Sequence, residues 1–370
     1  MNFNIHRNDL LPSLSKAAEA VDSRCPVPVM TGVYIEANEH GLRLVGSSYQ
    51  VTIETHVSSD RIAISRHGIA VLAAKSVLEI VRKMPEAIIE VESLGSSVRF
   101  RSGRMKLELA NYPDREDFNL PSPIASEGQL IDGGAFAEMV TRSVYAVMKE
   151  ERGGALSGVK IDSDEDKLIF MATDRQRLAM VCEPSSIELK KELVIHGDHL
   201  KLVRSLLQSG DEMRFRAADD HVSFSVKDTT AHIRLMNGSF PRLHNIIPSK
   251  TEALITVLSK PLADAVERAK ITAEKSTILF RFGDGEIEIR SKNEKGDRTE
   301  EFITVESIEG DSGEISLNAR LLTEALKAND SEETLIRFTG QKSPFILSDG
   351  DESRGIHLLA PMATEEDYWK

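Results

Sequence analysis

The chain has 370 residues, enough for two or three ordinary domains, with 41% hydrophobic and 28% charged residues. No apolar run approaches a membrane span, and the opening MNFNIHRNDLLPS lacks a signal-peptide core, so a soluble cytoplasmic protein is expected. A net charge of −13 excludes a general basic coat for nucleic acid, though not a local basic surface. Two cysteines, Cys25 and Cys182, exclude a disulfide framework and are expected as small buried hydrophobes.

Along the chain the same order of elements recurs. A helix with Leu11, Leu14 and Ala18 on one face precedes the hairpin pattern MTGVYIEANEHGLRLVGSSYQVTIETHV; a second helix (77–82) and the strands AIIEVES and VRFRSGRMKLELA follow. The middle third repeats the order: a helix with Phe136, Met139 and Val140, the hairpin LSGVKIDSDEDKLIFMATDRQRLAMV, a helix over 199–204, and EMRFRA with VSFSVKD. Gly32-Val33-Tyr34-Ile35 matches Gly158-Val159-Lys160-Ile161. The last third offers Leu262, Ala265 and Val266 on a helix, TILFRFGDGEIEIRS, a helix over 322–327, and LIRFTG with PFILSDG. The proline-bearing segments NYPDREDFNLPSP and NGSFPRLHNIIPSK read as linkers, placing three domains at 1–125, 126–252 and 253–370. The expected class is α+β: antiparallel sheets with two helices per domain packed on one side.

Each first helix carries a cation at a matched position, Lys16, Arg142 and Arg268, at intervals of 126 residues. Each second helix carries another, Arg82, Arg204 and Lys327, at intervals of 122 and 123. Any single one reads as a solvated side chain, but six at matched positions in an acidic chain suggest sorted charge. Such sorting suits contact with the phosphates of duplex DNA, without base reading. No recognition helix, zinc-finger spacing or aromatic-basic run accompanies it.

Enzyme signatures are missing: there is no Gly-rich phosphate loop, HExxH, GxSxG or Cys-His cluster, so neither catalytic residue, metal nor cofactor is expected. Asp162, Asp164 and Asp166 lack the glycine and terminal glutamate of a calcium loop and read as a solvated turn. Asp174 beside Arg175 and Arg177 reads as a structural ion pair. A hydrolase or transferase without a recognisable motif is the rival reading; an apparent mass of twice 41.0 kDa would speak against it.

The three repeats, with ATDRQRLAM (172–180), NGSFPRLHNIIP (237–248) and HLLAPM (357–362), resemble the β subunit of bacterial DNA polymerase III over essentially the whole chain. The resemblance implies a DNA sliding clamp: a head-to-tail homodimer whose six domains form a ring around duplex DNA and tether other proteins. It implies a peptide groove for short motifs from the polymerase α subunit, clamp loader and repair proteins. The matching positions are Leu156, Thr173, Arg177, Leu178, Pro241, Ile246, Pro344, Leu358, Leu359, Pro361 and Met362. Asn245 stands where that family often has arginine. The tail ATEEDYWK, with Glu365, Glu366, Asp367 and Trp369, runs past the usual end and is expected to hang free. Both departures leave room for a secondary clamp-like paralogue. For ring closure, the strand bearing Arg104, Lys106, Leu107 and Leu109 is expected to pair, edge to edge, with the element bearing Ile271, Glu300 and Glu301 of another copy.

Overall fold

The computed structural model describes residues 1–150, 153–243, 246–363 and 369. In chain order the first repeat runs β1 (Asn2–His6), α1 (Arg7–Glu19), β2 (Gly32–Asn38), β3 (Gly41–Ser47), β4 (Val51–Ser58), β5 (Ile62–Arg66), β6 (Gly68–Ala73), α2 (Ala74–Lys83), β7 (Ile88–Ser93), β8 (Ser97–Ser102) and β9 (Met105–Ala110). The second runs β10 (Gln129–Asp132), α3 (Gly133–Val144), β11 (Gly158–Asp164), β12 (Lys167–Thr173), β13 (Arg177–Pro184), β14 (Leu193–His196), α4 (Gly197–Leu206), β15 (Glu212–Ala217), β16 (His221–Val226) and β17 (Thr229–Arg234). The third runs β18 (Ala253–Leu258), α5 (Ser259–Thr272), β19 (Thr277–Gly283), β20 (Glu286–Lys292), β21 (Arg298–Thr304), β22 (Ser307–Gly310), β23 (Gly313–Asn318), α6 (Ala319–Asn329), β24 (Glu333–Phe338), β25 (Phe345–Ser348) and β26 (Gly355–Leu359).

The chain divides into two compact units that do not follow the repeats: 1–134 with 202–235, and 135–201 with 236–370. Hydrogen bonding explains the division. In unit 1, β4 of the first repeat pairs antiparallel with β17 of the second, Thr55 opposite Thr229, inside a sheet ordered β10-β15-β16-β17-β4-β3-β2-β6. In unit 2, β13 of the second repeat pairs with β26 of the third, Leu178 opposite Leu358, inside the sheet β14-β11-β12-β13-β26-β25-β24-β18-β22. Backbone ladders thus join strands of successive repeats. Each unit also holds a smaller sheet: β5-β1-β7-β8-β9 in unit 1 and β21-β20-β19-β23 in unit 2.

Unit 1 packs α1 and α2 on these sheets through Leu10, Leu14, Ala17, Val77 and Val81 against Phe3, Leu44 and Phe100. The buried stripe of α1 is therefore Leu10, Leu14 and Ala17; Leu11 and Ala18, expected on it, are only partly buried. Gly46 sets this rotation, because a Cβ there would lie 1.9 Å from the Ala17 carbonyl oxygen. Thr55 Oγ1 also donates to the Ser13 carbonyl at 3.2 Å, fixing the same face on β4. In unit 2, Leu262, Ala265 and Val266 of α5 and Leu322, Ala325 and Leu326 of α6 close over Phe280, Ile336 and Phe345. Asn318 caps α6 by accepting from the Leu321 N–H at 3.2 Å, and left-handed Asp330 (φ 42°) ends it. Cys182 is buried and Cys25 half-buried, both as free thiols. No helix among the described residues is long and apolar enough to cross a membrane.

Candidate docking groove, helix cations and sheet edges

The groove begins with the turn between β12 and β13. Thr173 Oγ1 accepts from the Arg175 N–H at 3.1 Å, and Asp174 Oδ1 accepts from the N–H groups of Gln176 (3.0 Å) and Arg177 (3.1 Å). These caps hold Arg175 at φ 74°, the left-handed region. The carbonyl of Gln176 accepts from the Ala360 N–H at 2.8 Å, bringing the end of β26 alongside. A concavity of about 580 Å³ opens here, within unit 2. Leu156, Leu178 and Leu358 form its apolar floor over Met171, Phe240 and Ile356; Pro241, Ile246 and Pro344 form walls, and Thr173 and Arg177 join them. Ile246 is 46% exposed, an apolar side chain presented to whatever enters.

Eight sequence-predicted groove residues meet here; three do not. Leu359 is 2% exposed and belongs to the core beneath α5 and α6. Neighbouring strand residues face opposite ways, so Leu358 in the groove sends Leu359 to the other side. Pro361 and Met362 lie past the lining, the Met362 N–H donating to the Ser316 carbonyl at 2.7 Å as the chain turns toward β23. Trp369 lies in the same place rather than hanging free: Nε1 donates to Ser316 Oγ at 2.9 Å, with Lys292 Nζ 5.9 Å from the ring. Asn245, Glu365, Glu366 and Asp367 lie outside the described residues. Arg175, Gln176, Leu243 and Ala360 line the groove without having been expected. Leu243, on the NGSFPRLHNIIP segment, was within reach of the sequence signal.

Arg177 is buried and its guanidinium is occupied. Nε donates to Asp174 Oδ2 at 2.9 Å, Nη1 to Glu324 Oε2 at 2.6 Å, and the group lies 4.9 Å from the centre of the Tyr145 ring. Burial raises the Glu324 carboxyl, and the hydrogen bond and charge of Arg177 more than reverse this, leaving it below the ordinary range. The Tyr145 hydroxyl and His357 Nδ1 lie 2.9 Å apart. Burial, helped by the Arg142 charge, lowers His357 to about 3.

The six helix cations do not behave alike. Arg82 and Arg204 are exposed. Lys16 is half-buried, reaching Asp228 at 3.4 Å and Thr229 at 3.1 Å within unit 1. Lys327 is exposed and donates to Glu267 at 2.8 Å. Arg268 forms a two-pronged pair with Glu301 at 2.5 and 2.7 Å, joining a residue expected to face DNA with one expected at a subunit edge. Arg142 departs from the expected exposed face: it is 3% exposed, near Glu138 (3.4 Å) and Asp349 (3.5 Å). A buried cation matched to carboxylates is structural, and it cannot reach phosphates from that position.

The two expected edges are real strand edges. β9 ends the small sheet of unit 1, with Arg104 and Lys106 exposed and Leu107 and Leu109 half-buried. β21 ends the small sheet of unit 2. Alternation puts Glu300, paired with Arg290 at 2.9 Å, on the face with Phe302, and turns Glu301 toward α5. Ile271 is 82% and Phe302 60% exposed; Phe302 was missed because it ends an acidic run.

Together these features define a repeat-built protein with a preformed apolar groove and two open sheet edges. The description DNA polymerase III beta subunit fits each third: its N-terminal domain matches residues 1–121, its central domain 130–242 and its C-terminal domain 244–363. The chain is 30% identical to a beta sliding clamp of Halalkalibacterium halodurans and 26% to that of Bacillus subtilis, each match covering 98% of this chain and 100% of the relative. Its fold superposes with a TM-score of 0.95 on a crystal structure of the DNA polymerase sliding clamp from Bacillus subtilis, 26% identical, covering 99% of this chain and 100% of that one. A Pseudomonas aeruginosa sliding clamp bound to griselimycin, 21% identical, shares the fold at 0.92 over 98% of this chain and 100% of its own. The chain belongs to the beta sliding clamp family and is a processivity factor of DNA polymerase III, with three clamp domains and no catalytic site of its own.

Proposed function

We propose that two copies join head to tail through β9 of one and β21 of the other, forming a cytoplasmic, nucleoid-associated ring around duplex DNA. Lys16, Arg82, Arg204, Arg268 and Lys327 face the phosphates; weak contacts without base reading let the ring slide. The repeats that line it divide near residues 125 and 252. The groove takes short linear motifs from the polymerase α subunit, the clamp loader and repair proteins, one at a time.

The observation that carries this reading is the groove itself. Leucines from the loop before β11, from β13 and from β26 make one apolar floor, walled by prolines and an exposed isoleucine. An extended peptide with two apolar side chains fits such a surface. Short contacts bury little area, so affinity near 1 μM is expected, about −8 kcal/mol. Calorimetric titration with hexapeptides ending in two apolar residues tests it. Ile246→Asp alters a side chain already in solvent; it should cost about 2 kcal/mol or more, roughly thirtyfold, while the fold survives. Wild-type protein that binds none of these peptides would remove the docking role.

A further inference from the structure

We infer that Arg175 is the charge selector of the groove: it reads an acidic side chain in the docked peptide. The inference rests on the docking role proposed above and adds the chemical class of the ligand. Among the described residues lining the groove, Arg175 and Arg177 alone carry charge. Arg177 is buried and held by Asp174 and Glu324, so it orders the turn and is not presented to a visitor. Arg175 is exposed, lines the same concavity, and its guanidinium makes no hydrogen bond or ion pair with any described residue. Its sequence neighbour Asp174 cannot neutralise it. One oxygen of that carboxylate already accepts two backbone N–H groups and the other accepts Arg177 Nε.

The backbone sharpens the point. The turn requires φ near 74° at this residue, which glycine adopts freely and a long L side chain adopts at a cost. The capping bonds from Thr173 and Asp174 need only the backbone N–H groups, so the fold does not call for an arginine. A free cation held in a strained conformation beside an apolar floor is a recognition element in search of an anion. The chain as a whole carries a net charge of −13, which repels acidic peptides at long range. A local cation at the groove reverses that at contact. In an extended ligand alternate side chains point to opposite sides. With the apolar end of the ligand in the floor, a residue preceding it faces Arg175, which lines the same concavity.

The test is a set of hexapeptides ending in two apolar residues, with Glu or its isostere Gln at each of the preceding positions in turn. Dissociation constants are measured by calorimetry for wild-type protein and Arg175→Gly, which suits the left-handed backbone and should fold. At one position Glu should bind wild type roughly three- to fivefold tighter than Gln, as an exposed ion pair would. That advantage should shrink between about 50 and 300 mM salt. In Arg175→Gly the Glu and Gln peptides should bind equally well to each other, and measurable binding of both reports an intact groove. Equal binding of Glu and Gln at every position in wild type overturns the inference while leaving the docking role standing. A Glu advantage that persists in Arg175→Gly overturns it too. Failure of all peptides to bind wild type overturns both.

Discussion

The strand edges β9 and β21 end comparable small sheets and carry opposite chemistry. β9 shows Lys106 beside Leu107 and Leu109, with Arg104 in the turn before it, whereas β21 shows Glu300 beside Phe302, with Ile271 nearby on α5. Open edges with apolar side chains invite pairing, and folded proteins usually blunt or cover them. A basic edge gains nothing by meeting its own copy, and an acidic edge likewise. The difference therefore favours contact between unlike edges of two chains, and a heterologous contact closes only when the rotation per subunit suits it. Two copies closing this way make the same contact twice.

The largest effect follows from that doubling. Phe302→Asp places a charge where an apolar anchor stands, and does so twice per dimer. At about 2 kcal/mol or more per site, dimerisation should weaken by roughly a thousandfold or more, leaving monomers in sedimentation at micromolar concentration. Leu107→Asp should act in the same direction, with some loss of fold stability because Leu107 also packs on the unit 1 core. An intact Phe302→Asp dimer would take β21 out of the contact.

A smaller effect separates the acidic edge from the core behind it. His357 has a folded value of about 3 against an ordinary 6.5, lowered by burial and then by Arg142. It binds fewer protons folded than unfolded, so its contribution is complete above pH 6.5 and is lost as pH falls toward 3. Glu301 keeps its charge further into acid, because hydrogen bonds from Arg268 hold its carboxyl below the usual range. Between pH 6.5 and about 4.5, resistance to urea should fall by about 2 kcal/mol from this histidine, while the dimer persists. His357→Asn should remove that share of the pH dependence and leave the share of His199 and His232, which burial lowers to about 4; an unchanged profile would show that His357 contributes nothing to it.

How legible the sequence was depends on how far apart the deciding contacts lie. Helices and hairpins were visible because their periodicities are local. Leu359 was misplaced by one residue, which in a strand reverses the face. The two compact units were invisible because the ladders β4–β17 and β13–β26 join residues more than 170 positions apart. Arg142 looked like its repeat mates until Asp349, from the third repeat, was found near it. Asp174 read as half of an ion pair with one of its neighbours Arg175 and Arg177, and the turn's hydrogen bonds show that Arg177 is the partner.

The smallest effect tests this correction. On linear duplex DNA, Arg82→Ala and Arg204→Ala should each reduce the slope of log affinity against log salt by about 0.9 if each neutralises one phosphate. Arg142→Gln should leave the slope unchanged, since the guanidinium lies in the interior. A reduced slope for Arg142→Gln would place that residue at the DNA after all.

Mixing the two edge variants tests head-to-tail closure most directly. Leu107→Asp spoils only β9 and Phe302→Asp spoils only β21, so a mixed pair retains one intact β9–β21 contact. Sedimentation of an equimolar mixture should show a mixed dimer that neither variant forms alone, held at one contact and weaker than wild type. A mixture that stays monomeric at concentrations where wild type is dimeric would contradict pairing between unlike edges.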